Sequence, residues 1–213
     1  MTRSSDSPIT IDFPLEIPTV RRGNHWLARA GPIELRLSNL EKTFWPESGY
    51  TKGDLLTYYF NVSPVMVPHL RDRPLTLKRM PDGVVGPYFY EKDAPSYTPD
   101  WMPTIDMAVG TEHRTVHALT VSDVASLLWV ANLGCIDLHP LHATGGRQSH
   151  PSCAVFDLDP FPPAGFENAC EVALLLKAVL DGLGVDAYPK TSGGTGLHIF
   201  MPLDRTHSFD DVR

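Results

Sequence analysis

The sequence predicts an α+β fold, and three observations carry that expectation. Short blocks in which apolar residues alternate with polar ones or run together, bounded by Gly and Pro, recur at 33–37, 75–79, 88–91, 135–139, 153–159, 185–188 and 197–201, as strands require. Longer segments stand between them at 51–59, 123–133 and 166–180, two of them opened by capping residues. The order strand, helix, strand, strand over residues 153–201 leaves carboxylates at the end of its first strand.

Taken in order, residues 1–20 are rich in Ser, Thr and Pro without a period, which predicts a mobile tail. The body then begins near Arg21 and runs to 213 as one globular unit. Ile33 to Leu37 alternates as a half-buried strand does. Thr51, with Asp54 three residues on, predicts a capping box and a helix through Tyr59, which Pro64 then kinks or breaks. Strands at 75–79 and 88–91 flank the turn Pro81-Asp82-Gly83, and residues 97–114 have no clear pattern. Ser122 reads as the N-cap of a helix over 123–133 that Gly134 stops. A strand at 135–139 and a polar loop at 142–152 follow, and the strand-helix-strand-strand block closes the chain.

Composition narrows the possible functions. No run approaches the roughly 18 apolar residues of a membrane span, and Asp6, Asp12 and Glu16 stand where a secretion signal would be apolar, so a non-membrane, cytoplasmic protein is expected. Cys135, Cys153 and Cys170 are odd in number and each lies in an apolar run, which predicts buried free thiols. The net charge of −7 argues against a polyanionic partner. The charge is uneven, however: residues 1–92 hold 12 Lys+Arg against 10 Asp+Glu, and residues 93–213 hold 6 against 15. A polyanion would dock on the first half, and the second could hold cations.

Alternate residues of a strand share a face, so Asp157 and Asp159 point one way with Cys153 and Val155, while Ala154, Phe156 and Leu158 point to the core. Two neighbouring carboxylates repel unless a cation lies between them, and a divalent ion meets that need. Taken bare, the pair also suits a solvated or capping strand end. Residues 191–198, Thr-Ser-Gly-Gly-Thr-Gly-Leu-His, form a hydroxyl- and glycine-rich loop whose backbone amides can approach a phosphate closely, although the pattern also suits an ordinary turn. It is neither a Walker loop nor a dinucleotide fingerprint. His139 ends a strand, whereas His142 and His150 sit in the polar loop, where a His/Asp metal site is conceivable. Lys78-Arg79 and Phe89-Tyr90 combine cations with aromatics, as single-stranded or gapped DNA requires, and equally fit a solvated basic face over core rings.

Across about residues 35 to 205 these motifs together resemble the polymerase domain of bacterial DNA ligase D, in the archaeo-eukaryotic primase superfamily. The stretch Leu40-Glu41-Lys42 to Trp45-Pro46, with Thr51-Lys52, is similar to the segment where that family carries two lysines for a DNA 5′-phosphate. Leu77 to Gly83 resembles its Lys-Arg-x-Pro-x-Gly turn, and Phe89-Tyr90 its template-packing aromatic pair. Cys135 to Pro140 resembles the segment whose histidine contacts the incoming nucleotide.

The resemblance implies a primase-polymerase fold with an RRM-like palm sheet and an N-terminal α/β lobe. It implies template-dependent nucleotidyl transfer in non-homologous end joining, with two Mn2+ or Mg2+ ions on Asp157 and Asp159. His139, Ser192, Thr195, Gly196 and His198 would hold NTP or dNTP, Lys42 and Lys52 the 5′-phosphate of gapped or broken duplex DNA, and Lys78, Arg79, Phe89 and Tyr90 the template. An ATP-dependent DNA ligase and an end-bridging Ku-type protein are the implied partners, in a nucleoid-associated setting.

There are two departures. Thr195 stands where many members carry a lysine, and the family's third metal-binding aspartate lies on a later strand than Arg213 allows. The expectation is therefore a fragment, incomplete at its C-terminus, that is weak or inactive by itself. Two alternatives are a non-catalytic DNA-end binding module and a metal-dependent nuclease or phosphohydrolase built on the histidines and aspartates.

Overall fold

The structure, a computed structural model, describes residues 17–109 and 114–213. Residues 1–16 of the expected tail lie outside the described residues, and Thr19, expected in that tail, is already in a strand. The expected single globular unit is built as two compact units that divide between Leu141 and His142, and each has its own core.

In the first unit, β1 (Thr19–Arg22), β2 (His25–Ala30) and β3 (Ile33–Ser38) form an antiparallel meander, and β4 (Thr43–Trp45) pairs with β5 (Tyr50–Thr51). Alternation in β3 buries Leu35 and Leu37 and exposes Glu34 and Arg36, as the sequence predicts. Helix α1 (Lys52–Leu70) opens on the expected capping box: Thr51 Oγ1 accepts from the Asp54 amide, and the Asp54 carboxylate accepts from the Thr51 amide.

Pro64 does not break α1. It removes the amide that would bond the carbonyl of Phe60, and the Ser63 hydroxyl donates to that carbonyl instead at 2.8 Å. With that carbonyl satisfied, and Tyr59, Val67 and Leu70 buried on either side of the proline, the helix continues past both Pro64 and Pro68.

Strands β6 (Leu75–Arg79), β7 (Phe89–Glu91) and β10 (Cys135–Pro140) form an antiparallel sheet with β6 in the middle. The segment without a clear pattern holds β8 (Thr104–Val109), which pairs with β9 (Arg114–Leu119). Helix α2 (Val124–Asn132) is capped by Asp123, one residue later than expected, because the Asp123 carboxylate accepts from the Ser126 amide. Ser122 is part of that cap through its amide, which donates to Ser126 Oγ. Leu127, Leu128 and Val130 of α2 pack with Leu56, Leu75 and Leu77 in the first core. Each such side chain removed from water contributes about 1.5–3 kcal/mol.

In the second unit, β11 (Cys153–Leu158), β13 (Leu197–Pro202) and β12 (Tyr188–Thr191) form an antiparallel sheet in that spatial order. Helix α3 (Phe166–Gly182) packs Ala169, Cys170, Ala173 and Leu176 on Leu158, Leu197 and Ile199. Phe156, expected in the core, keeps about a third of its surface exposed. The strand expected at 185–188 begins three residues later. The Val185 amide is engaged by the Leu180 carbonyl at 2.9 Å and that of Gly184 by Asp181, a Schellman-type end to α3 that defers the strand. A short α4 (Phe209–Val212), capped by Ser208, ends the chain. Of the three thiols expected to be buried, only Cys135 is; Cys153 and Cys170 are half-buried. No helix among the described residues is long and apolar enough to cross a membrane.

Candidate functional site

Register assembles the second unit's site. Asp157 on β11 pairs with His198 on β13, which pairs with Lys190 on β12. Residues opposite one another share a sheet face, so carboxylate, imidazole and amine form one row across three strands. His198 Nε2 lies 3.3 Å from Asp157 Oδ1. The next row on that face is Val155, Phe200 and Tyr188, all apolar or aromatic. Lys190 was missed in the sequence because the strand was expected to end before it. The signal was there: Lys190 lies two residues before Ser192, on the same strand phase as Tyr188.

Asp159 lies just past the end of β11, where Gly196 receives it. A Cβ on Gly196 would lie 2.4 Å from Asp159 Oδ1 and 2.5 Å from the Leu158 carbonyl, so this approach admits only glycine. Asp159 and the glycine loop therefore meet at one point. The loop is held from within: Ser192 Oγ accepts from the amides of Gly194 at 3.3 Å and Gly196 at 3.2 Å, and the Ser192 amide donates to the Gly196 carbonyl. Two amides expected to face a phosphate are thus turned to Ser192, while Thr195 is exposed.

Among the described residues, no group of three His, Cys, Asp or Glu could hold a metal ion. His142 turns to Cys153, with Nδ1 and Sγ 3.1 Å apart, and to the Phe200 ring; His150 bonds Ser149.

The remaining predicted site residues lie in the first unit. Lys42 donates to the Pro81 carbonyl at 2.8 Å and forms an ion pair with Asp82. Lys52, at the first turn of α1, is 5% exposed and donates to the Ser38 carbonyl at 2.8 Å and to Ser38 Oγ. Burial, together with the cations Lys42 and Arg79, lowers its pKa to about 8. Lysine, arginine and the α1 N-terminus thus concentrate positive potential in one place.

On the sheet β10–β6–β7, Asp137, Lys78 and Tyr90 form a row, with Thr76 and His139 beside it. Lys78 bonds Asp137 at 2.9 Å, which raises its pKa, and stands over the Tyr88 ring. Tyr90 meets His139 and Tyr88 edge-on. Arg79 lies on the other face, where its Nε donates to the Leu133 carbonyl and its NH1 to Glu91 and Tyr97. Burial opposes its charge, but the bonds to Tyr97 and Glu91 outweigh that and hold its pKa up. Phe89 and Tyr90 are about half exposed. Asp82, Glu91, Tyr97 and Asp137, the partners of these cations, had no signal in the sequence beyond their charge or hydroxyl.

Known proteins resemble this chain in sequence and fold. Residues 51–213 match the family described as LigD, primase-polymerase domain. The chain is 34% identical over 171 residues to the multifunctional non-homologous end joining protein LigD of Mycolicibacterium smegmatis, covering 79% of this chain and 22% of that protein. It is 32% identical over 182 residues to the bifunctional non-homologous end joining protein LigD of Bacillus subtilis, covering 84% of this chain and 28% of that one. Among solved structures it is similar to the polymerase domain from Mycobacterium tuberculosis ligase D in complex with DNA, with a TM-score of 0.73 and 32% identity over 80% of this chain and 61% of that one. The chain spans less than a third of these curated relatives. The expected α+β primase-polymerase architecture is the fold of that solved domain, and the chain belongs to the LigD primase-polymerase family.

Proposed function

We propose that the chain binds gapped or broken duplex DNA through a 5′-phosphate and adds nucleotides to a primer 3′ end in non-homologous end joining, with Mn2+ or Mg2+ as cofactor. The observation that carries this reading is the contact of Asp159 with Gly196, which joins the carboxylate pair to the hydroxyl- and glycine-rich loop. Asp157 and Asp159 offer carboxylate oxygens, the donors that hard divalent cations take, and two such donors suit ions that complete their shell with substrate phosphates and water. Bound there, the cations would supply an acidified primer hydroxyl and charge neutralisation at the leaving pyrophosphate.

The chain's own residues do the holding. His198 orients Asp157 across the strand pair, and its imidazole is available to a nucleotide phosphate or sugar. Ser192 keeps the loop in shape. Thr195 is exposed on the loop and Gly196 seats Asp159 against it, and Lys190 adds a cation on the same face as Asp157, in the half of the chain where the lysine of many family members is replaced by Thr195. In the first unit, Lys42 and Lys52 meet the 5′-phosphate, while Phe89 and Tyr90 stack on template bases. Lys78 adds a nearby cation, Arg79 fixes the strand beneath them, and His139 presents its ring beside Tyr90 to an incoming nucleotide. NTP or dNTP, an ATP-dependent ligase and a Ku-type end-bridging protein are the partners of this reading, in a cytoplasmic, nucleoid-associated setting.

The test is primer extension across a 5′-phosphorylated gap with Mn2+ and NTPs, paired with binding to the same DNA with and without the phosphate. Extension is expected to be slow and to vanish in Asp157→Ala, with phosphorylated DNA bound more tightly. Extension that survives Asp157→Ala overturns the role of the carboxylates, and equal binding to both DNAs overturns the end-reading role.

A further inference from the structure

Lys42, the more exposed of the two lysines assigned to the 5′-phosphate, is already engaged. Its amine lies on the Pro81 carbonyl and the Asp82 carboxylate, both from the turn that follows β6. That turn is fixed independently of the ion pair. Gly83 has φ +84, its missing Cβ would lie 2.6 Å from the Phe44 carbonyl, and the Val84 amide donates to the same carbonyl at 2.9 Å. Behind Asp82, a Cβ on Gly86 would lie 2.7 Å from that of Asp82, so the aspartate is backed by the next bend of the chain. The Asp82 carboxylate is therefore held in front of Lys42 by backbone that has its own reasons to be there. Its side chain remains 57% exposed, so an incoming anion can reach the pair.

We propose that Asp82 is an internal counter-ion that occupies Lys42 until a terminal phosphate displaces it, a deepening that rests on the 5′-phosphate reading above. A terminal phosphate carries about −1.5 to −2 at neutral pH and three acceptor oxygens, against −1 for a carboxylate. It can therefore take Lys42 from Asp82. A backbone phosphodiester carries a single charge and has no such advantage over a carboxylate already in place. Lys42 thus contributes to binding at phosphorylated ends and stays latched on continuous or unphosphorylated DNA.

The test is a double-mutant cycle on the full 213-residue chain, read as affinity for gapped DNA bearing either a 5′-phosphate or a 5′-hydroxyl. In the unmodified chain, Lys42→Ala is expected to weaken binding to the phosphorylated gap and leave the hydroxyl gap unchanged. Asp82→Asn is expected to tighten binding to both gaps by about two- to fivefold, the range a partly exposed pair supports. That gain is expected to vanish when Lys42→Ala is added. Asp82→Ser serves the same purpose if the Asn variant fails to fold. No gain, or a gain that persists without Lys42, overturns the latch, since a gain of that second kind is only the loss of one negative charge near DNA. Equal binding of the unmodified chain to the phosphorylated and hydroxyl gaps instead overturns the underlying end-binding reading, whereas a 5′-phosphate preference undiminished by Lys42→Ala overturns the latch by removing Lys42 from the phosphate site.

Discussion

Lys52 gives two measurements that should move in opposite directions with pH. Its amine is buried beside Lys42 and Arg79 and has a pKa of about 8, whereas an unfolded chain would titrate it near 10.4. At pH 7 the folded protein carries a charge it would more easily lose, and the unfolded chain binds more protons between the two values. Stability therefore rises with pH across that window, being lowest below pH 8 and fully recovered above about 10.4. The separation corresponds to about 3 kcal/mol at 1.36 kcal/mol per unit. Denaturant unfolding of the wild-type chain and Lys52→Met at pH 7, 8, 9 and 10 isolates this term, because other groups that titrate cancel in the difference. The wild type should gain most of that energy on the variant.

Binding should go the other way. A DNA 5′-phosphate has its second pKa near 6 and stays dianionic throughout, so loss of the Lys52 charge alone should lower the preference for phosphorylated gaps by roughly tenfold from pH 7 to 9. A stability difference that does not change with pH would refute the buried charged amine. A phosphate preference that holds flat to pH 9.5, with the stability term present, would refute a role for that amine at the DNA end.

Two further substitutions test local structure. Gly196→Ala puts a methyl group against the Leu158 carbonyl and the Asp159 carboxylate; it should cost about 1–3 kcal/mol by overpacking and weaken Mn2+ binding, read by denaturation and metal titration. Ser63→Ala takes the donor from the Phe60 carbonyl that Pro64 leaves without an amide, and should cost about 1–2 kcal/mol in thermal unfolding; an unchanged melt would mean that the helix tolerates Pro64 by other means.

These residues also mark how much the sequence could tell. Local signals with a short reach were legible: the Thr51–Asp54 capping box, the alternation of β3, and the block in which β11 and β13 flank α3. Signals that depend on what lies opposite were not. Pro64 reads as a breaker until Ser63 is seen bonding Phe60, and residues 185–188 read as a strand until α3 takes the Val185 amide for its own end. The division at Leu141 and His142 was hidden for a related reason. No glycine or proline run marks it, and only the separate packing of α2 with β3 and β10, and of α3 with β11 and β13, creates it.

The cations make the same point about function. Sequence reports which residues carry charge, but a phosphate responds only to charge left over after the protein's own partners are counted. Arg79, on composition as good a DNA contact as any, has its guanidinium bound to a backbone carbonyl, a carboxylate and a phenol, and Lys78 is paired with Asp137 over a tyrosine ring. Beside these pairs the sheet exposes Phe89, Tyr90 and His139, with Tyr88 exposed just before β7. Lys52 differs from both: among the described residues its amine bonds only Ser38, and burial together with two cations, Lys42 and Arg79, lowers its pKa. On the proposed reading, the first unit would therefore take bases on the aromatics of β7 and phosphate at the start of α1, while the bonds of Arg79 to Leu133, Glu91 and Tyr97 hold the sheet together.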